Sequence, residues 1–157
     1  MHKVATVAFF LLFFFATTGG CDVRPTVREI ANSIEITPEW TELHPTPPLV
    51  ASEQIQSISI VVPDTPDWNL HPETSSFTMP NGETLKIEVE LIAVDGKKFS
   101  LDSIGLGAGL LFSRRPSAGA EPNEPRLPKG MTFPTVRFRA NQPVHGGKVS
   151  WICMTNY

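Results

Sequence analysis

Hydrophobic and polar residues alternate along several short stretches of the chain, and this two-residue period predicts β-strands. The clearest alternation covers residues 85–91, where four aliphatic residues alternate with Lys86, Glu88 and Glu90. Asp95-Gly96 then predicts a hairpin turn that leads into a second strand through Phe99 and Leu101. These two stretches therefore predict an antiparallel pair of strands.

Further strands are predicted at residues 33–37, 54–62, 132–139 and 148–154. In the last stretch Val149, Trp151 and Cys153 share one face while apolar residues also occupy the other, which is typical of a central strand. The 15 prolines exclude long helices. Short strands separated by turn signals predict an all-β chain, a single β-sandwich of Ig-like or jelly-roll-like style, with a lipocalin-type barrel as the alternative.

Glycines are concentrated at residues 105–109, ahead of Leu110, Leu111 and Phe112. A phosphate-binding loop would end in Gly-Lys-Ser/Thr, whereas Ser113 and two arginines follow here, so the pattern favours a bulged or bending strand. Residues 116–130 contain four prolines and little that is apolar, and they are predicted to form a long exposed loop.

The first twenty residues have the pattern of an export signal. Met1, His2 and Lys3 are followed by an apolar run of 13 residues, 4–16, and then by small residues. This run is too short to span a bilayer, which takes about 20 residues, but it fits the apolar region of a secretory signal peptide.

The residues that end this segment read Thr17-Thr18-Gly19-Gly20-Cys21. This motif resembles the lipobox of bacterial lipoproteins, although Thr18 stands where that family usually has an aliphatic residue. The resemblance implies that Cys21 is the first mature residue and carries a lipid anchor. The alternative is ordinary cleavage after Thr18 or Gly20, which leaves Cys21 able to pair with Cys153.

The predicted organisation has three parts: a signal peptide at 1–20, a Pro-rich tether with a first strand at 21–54, and the β-sandwich domain at 55–157. Removal of the signal leaves 12 basic residues against 16 acidic ones. An acidic chain of this kind lacks the excess of basic residues that binds the phosphate backbone of a nucleic acid, so nucleic acid is not an expected partner.

Little in the sequence indicates catalysis. His44, His71 and His145 lie near prolines without metal-ligand spacing, no nucleophile motif is present, and neither a metal nor a cofactor is predicted. Glu88 and Glu90 are expected to be surface charges on one strand, opposite arginines of a neighbouring strand. Those arginines are Arg137 and Arg139.

Candidate contact residues are Trp40 and Trp68, in Pro-rich loops, together with Arg114 and Arg115. Exposed loop aromatics can stack on sugars or anchor a protein partner, although more often they pin a loop to the domain. We therefore expect an exported, lipid-anchored, non-enzymatic envelope protein that binds a protein partner and faces the periplasm or the exterior. A carbohydrate- or small-ligand-binding module, and a soluble secreted or periplasmic location, are the alternatives.

Overall fold

The computed structural model describes residues 26–52, 55–63, 67–106, 109–116, 118–119 and 126–154. Within these ranges all regular structure is β-strand, apart from isolated turns. The strands are β1 Thr26–Ala31, β2 Ile34–Ile36, β3 Thr41–Leu43, β4 Leu49–Val50, β5 Ile55–Ile60, β6 Asn69–His71, β7 Ser76–Thr78, β8 Thr84–Ile92, β9 Lys98–Leu106, β10 Leu110–Ser113, β11 Thr132–Phe133, β12 Thr135–Ala140, β13 Val144–Gly146 and β14 Val149–Met154. None of the described residues forms a helix that could cross a bilayer.

Ten of the described strands join in one antiparallel sheet. Its main path runs β1-β14-β5-β10-β9-β8-β12-β3, and β7, which also pairs with β6, adds to one end of β8. Two further pairs, β4 with β11 and β2 with β13, complete the described strands. The chain is therefore all-β and sandwich-like, as the sequence predicts.

One apolar core lies inside the curved sheet. Inward-facing residues of β8 and β12 alternate with exposed or half-buried ones along each strand, as expected for strands with one wet face. Aromatic rings fill the centre: Phe77 packs edge-on against Phe112, and Phe99 packs edge-on against Phe133. All four rings are almost fully buried.

The hairpin predicted from Asp95-Gly96 is confirmed. Leu91 pairs with Phe99 and Val89 with Leu101, so the two strands run antiparallel in the expected register. Gly96 has a φ of 83°, a left-handed conformation that favours glycine over residues with a Cβ.

The central position predicted for the last strand is also confirmed. β14 lies between β1 and β5, with Trp151 opposite Arg28 on one side and Ile58 on the other. Trp151 is 5% exposed and belongs to the core.

The glycine-rich stretch forms part of a bulged pair of strands. Leu111 pairs with Gly105 and Phe112 with Ser103, so Ile104 is an extra residue on β9. Glycine is needed at position 109, because a Cβ there would lie 2.4 Å from the backbone oxygen of Ile60. Gly107 and Ala108 lie outside the described residues.

Two segments contribute more to the domain than the sequence indicates. Residues 26–50 carry four strands rather than one, and they add Ile34, Ile36 and Leu49 to the core, so this part of the predicted tether belongs to the sandwich. In the predicted exposed loop, Leu127 is 3% exposed and packs in the core. Isolated apolar residues between prolines have no period, which is why their burial is not visible in the sequence.

Candidate functional site

The outer surface of β8 and β12 carries two Arg–Glu pairs, as the sequence predicts. Arg137 lies opposite Glu90 and Arg139 opposite Glu88 in the antiparallel register. Each arginine donates from Nε and Nη2 to one carboxylate oxygen, at 2.8 and 2.6 Å in the first pair and 2.9 and 2.6 Å in the second. Neither carboxylate is therefore poised as a free acid or base.

Trp40 lies against these pairs. The guanidinium carbons of Arg137 and Arg139 are 4.1 and 4.6 Å from its ring centroid, within the range of cation–π contacts. The turn before β3 holds the indole there, because the Thr37 hydroxyl accepts from the Glu39 amide and the Thr37 carbonyl accepts from the amide of Ala140 on β12. The ring remains half-exposed. We call Trp40, Glu88, Glu90, Arg137 and Arg139 the charged face.

Beside the charged face, β8 and β9 separate and leave a groove. The pairing of β8 with β9 ends at Val89 and Leu101. The earlier residues of β8 pair with β7 instead, and that pairing ends at Lys86. The Ser75 hydroxyl accepts from the Ser103 amide at 2.7 Å in the space between them.

The groove has a volume of about 420 Å³ and a mostly polar lining. The Arg115 side chain lines one side of the groove. Its Nε lies 3.3 Å from the Asp102 carboxylate, and its Nη2 donates to the Pro72 carbonyl. Glu88 and Glu90 also line the groove, so the charged face and the groove form one continuous polar surface. Its full lining is Glu73, Thr74, Ser75, Lys86, Ile87, Glu88, Val89, Glu90, Ser100, Leu101, Asp102 and Arg115.

The four predicted contact residues fall in different surroundings. Trp68 is half-buried with its ring centroid 6.2 Å from that of Phe77, so it packs a loop onto the core. Arg114 lies with its guanidinium carbon 5.0 Å from the Phe99 ring centroid. Arg115 borders the groove and Trp40 lies on the charged face, so of the four these two belong to the polar surface.

Cys21, the predicted lipid anchor, lies outside the described residues. Cys153 is half-buried in β14 and has no disulfide partner within the described part of the chain. Burial raises the pKa of the Cys153 thiol above its ordinary value of 9.0, although hydrogen bonds with Trp151 and Ser52 act in the opposite direction. A thiol in this setting is a weak nucleophile at neutral pH.

The three histidines make separate contacts. His44 Nδ1 is 3.2 Å from the Thr135 hydroxyl, His71 Nε2 is 2.8 Å from that of Thr78, and His145 Nδ1 contacts the Glu35 carboxylate. Among the residues that can be described, no group of three or more His, Cys, Asp or Glu side chains could hold a metal ion.

The sequence does not reveal the groove. Ser75 lies in the turn before β7, whereas Asp102 and Ser103 are neighbours on β9, and no spacing in the sequence indicates that they meet. A weak signal exists at Ser75, which lies between Pro72 and β7 and adopts a φ of 52°, but the sequence shows only a polar turn.

No protein-family model, no curated protein and no solved structure gives a significant match to this chain.

Proposed function

We propose that this chain is an exported, lipid-anchored, non-enzymatic envelope protein whose charged face binds a protein partner. The lipid on Cys21 follows from the lipobox resemblance. The observation that supports protein binding is Trp40, half-exposed and in contact with Arg137 and Arg139. Tryptophan and arginine are the residues most enriched at the energetic centres of protein interfaces.

The same contacts favour a protein over a sugar as the ligand. A sugar that stacks on Trp40 would have to share the ring with two guanidinium groups. Trp68 packs against Phe77, which makes it a poor second platform. A binding role is also favoured over catalysis because Glu88, Glu90 and Asp102 each have an arginine partner.

Partner binding is tested by affinity capture from the native envelope with the tagged protein. We expect Trp40→Ala to lose a species that the unmodified protein retains, with its melting temperature nearly unchanged. Lys148→Ala is the matched surface control, since Lys148 is exposed at the other end of the sheet and pairs with Glu29. Equal capture by Trp40→Ala and the unmodified protein would remove Trp40 from the interface.

The carbohydrate alternative makes a different prediction. A glycan that stacks on an indole shifts tryptophan fluorescence on titration, and the shift disappears in Trp40→Ala. A saturable shift of this kind, with partner capture unaffected by Trp40→Ala, would replace protein binding with sugar binding.

The anchor is tested separately by Cys21→Ser. We expect this change to abolish labelling with radioactive palmitate and to remove the acyl mass from the N-terminal peptide. Unchanged fractionation and an unacylated wild-type peptide would count against lipidation and favour a disulfide between Cys21 and Cys153.

A further inference from the structure

The end of the sandwich that adjoins the predicted anchor collects basic residues from distant parts of the chain. Thr26 at the start of β1 pairs with Cys153, and Cys153 pairs with Gln56, which marks one end of the sheet. β10 leaves β5 at the same end, where Ser113 lies opposite Ser57, and the chain continues into Arg114 and Arg115.

The hairpin between β8 and β9 projects at this end as well. Its backbone is tied to the segment after Lys129, since the Val94 amide donates to the Thr132 carbonyl. That segment is held in turn to the residue after β4, since the Gly130 amide donates to the Ala51 carbonyl. We call Lys97, Lys98, Arg114, Arg115 and Lys129 the basic end.

Most of these charges face solvent. Lys97, Lys98, Arg115 and Lys129 are exposed, and Lys97 and Lys98 have no carboxylate partner among the described residues. Three described carboxylates lie around them: Asp95 in the hairpin turn, Asp102, which pairs with Arg115, and Glu90, which lies opposite Ser100 and pairs with Arg137. Glu53, Glu121 and Glu124 lie outside the described residues.

Two exposed aliphatic residues lie among the basic ones. Val94 at the hairpin tip is 74% exposed, and Val50 is 51% exposed. Both adjoin Thr132, since Val50 pairs with it and the Val94 amide donates to its carbonyl. Exposed valines bordered by lysines suit the bilayer interface, where apolar groups enter the headgroup layer and cations meet phosphates.

The distance to the anchor fits this arrangement. Cys21 precedes Thr26 by five residues, so an extended link spans at most about 18 Å. The hairpin extends past the row of Thr26 in the same direction, because β9 continues from Leu101 to Lys98 after β10 has ended. A lipid on Cys21 would therefore hold the basic end close to the headgroups.

We propose that the basic end docks on anionic phospholipid headgroups. This inference rests on the proposed lipid anchor for its geometry. It adds a second, electrostatic membrane contact to the anchor. Each Lys or Arg held near an anionic surface strengthens the attachment by up to about fivefold.

The test uses the processed protein, purified from the cells that export it and mixed with vesicles of phosphatidylglycerol or of phosphatidylcholine. Amide hydrogen exchange of the hairpin that contains Val94 and Lys97 is followed by mass spectrometry. We expect exchange at least about threefold slower on phosphatidylglycerol than on phosphatidylcholine, and equal exchange on both once salt is raised to about 1 M, where screening acts over ~3 Å.

Charge reversal gives the matched comparison. The double variant Lys97→Glu with Lys98→Glu should lose the difference between the two lipids, whereas Lys86→Glu with Lys148→Glu, at the other end of the sheet, should keep it. Equal exchange on both lipids in the unmodified protein, or equal loss in both double variants, would overturn the docking proposal.

The mass of the N-terminal peptide in the same sample separates this inference from the proposed anchor. An acylated peptide without a lipid-dependent difference in exchange leaves the anchor and removes the docking. An unacylated peptide with that difference removes the anchor and leaves an electrostatic membrane contact.

Discussion

The two halves of the sandwich hold their polar residues in opposite ways. In the half formed by β5, β10 and β14, polar side chains such as Ser57, Ser113 and Ser150 are buried between close-packed strands. In the half formed by β8 and β12, polar residues remain on the outer surface and pair across the strands. We call these the packed half and the paired half.

The two halves differ in what their stability depends on. The packed half brings main chains and small side chains into direct contact, so volume decides its stability. The paired half leaves part of its outer surface wet, so charge can change at little cost where the side chains are exposed, as at Arg139 and Glu88. A binding surface is therefore better placed on the paired half, where Trp40, Arg137 and Arg139 lie.

The strongest test of this comparison is Gly109→Ala in the packed half. The new Cβ would lie 2.4 Å from the Ile60 carbonyl oxygen, and a backbone atom cannot move aside easily. We expect the free energy of unfolding, measured in urea, to fall by about 3 kcal/mol. Gly105→Ala is the control, because its Cβ would meet only the Leu111 side chain, at 3.9 Å. Equal effects at both positions would show that the packing around Ile60 is not tight.

Single elements of both halves are visible in the sequence because their patterns are local. The alternation through Glu88 and Glu90 predicts β8, Asp95-Gly96 predicts its hairpin, and the apolar residues on both sides of Trp151 predict a central strand. The Arg–Glu pairs could also be predicted, since two strands with alternating charges favour the register that pairs them.

A smaller effect is expected from two buried serines of the packed half. The Ser113 hydroxyl donates to the Gln56 carbonyl at 2.8 Å, whereas the buried Ser57 hydroxyl has no hydrogen-bond partner within the described structure. Ser113→Ala should therefore lower the free energy of unfolding by about 1–2 kcal/mol, and Ser57→Ala should leave it unchanged or raise it. Thermal and urea unfolding of the two variants measure this difference, and the reverse order would contradict it.

In the paired half the effect depends on exposure. The side chains of Arg137 and Glu90 are 16% and 19% exposed, while those of Arg139 and Glu88 are 43% and 39% exposed. In double-mutant cycles with methionine and glutamine we expect a coupling energy of about 1–2 kcal/mol for the first pair and about 0.5 kcal/mol or less for the second. A larger coupling in the exposed pair would mean that burial does not govern the strength of these bridges.

The groove and the basic end could not be predicted, because each depends on tertiary structure. The groove exists because β9 separates from β8 after Leu101. No residue in that stretch indicates from the sequence that the pairing of these two strands ends there. The basic end joins Lys97, Arg114 and Lys129 through turns that are unrelated in sequence. Of the predicted contact residues, Trp40 and Trp68 look alike in the sequence, and only the arginines of β12 distinguish them.

The smallest expected effect concerns Cys153, at the edge of the packed half. Its thiol has a raised pKa in the folded protein, so above about pH 9 the unfolded chain releases the proton more readily than the folded one. Its contribution to stability is therefore complete below the ordinary pKa and is lost as the pH rises through the higher folded value. Urea unfolding from pH 8 to 10.5 should show a steeper loss of stability in the unmodified protein than in Cys153→Ser.

Cys21→Ser provides the control for that experiment and links it to the anchor. If Cys21 is acylated, it has no thiol to titrate, so its replacement should leave the pH dependence as steep as in the unmodified protein. If Cys21 and Cys153 form a disulfide, the unmodified protein should lack this thiol dependence, and Cys21→Ser should introduce it by releasing Cys153. An unchanged pH dependence of stability in Cys21→Ser therefore supports a membrane anchor on Cys21, whereas a steeper pH dependence in that variant supports a disulfide between Cys21 and Cys153.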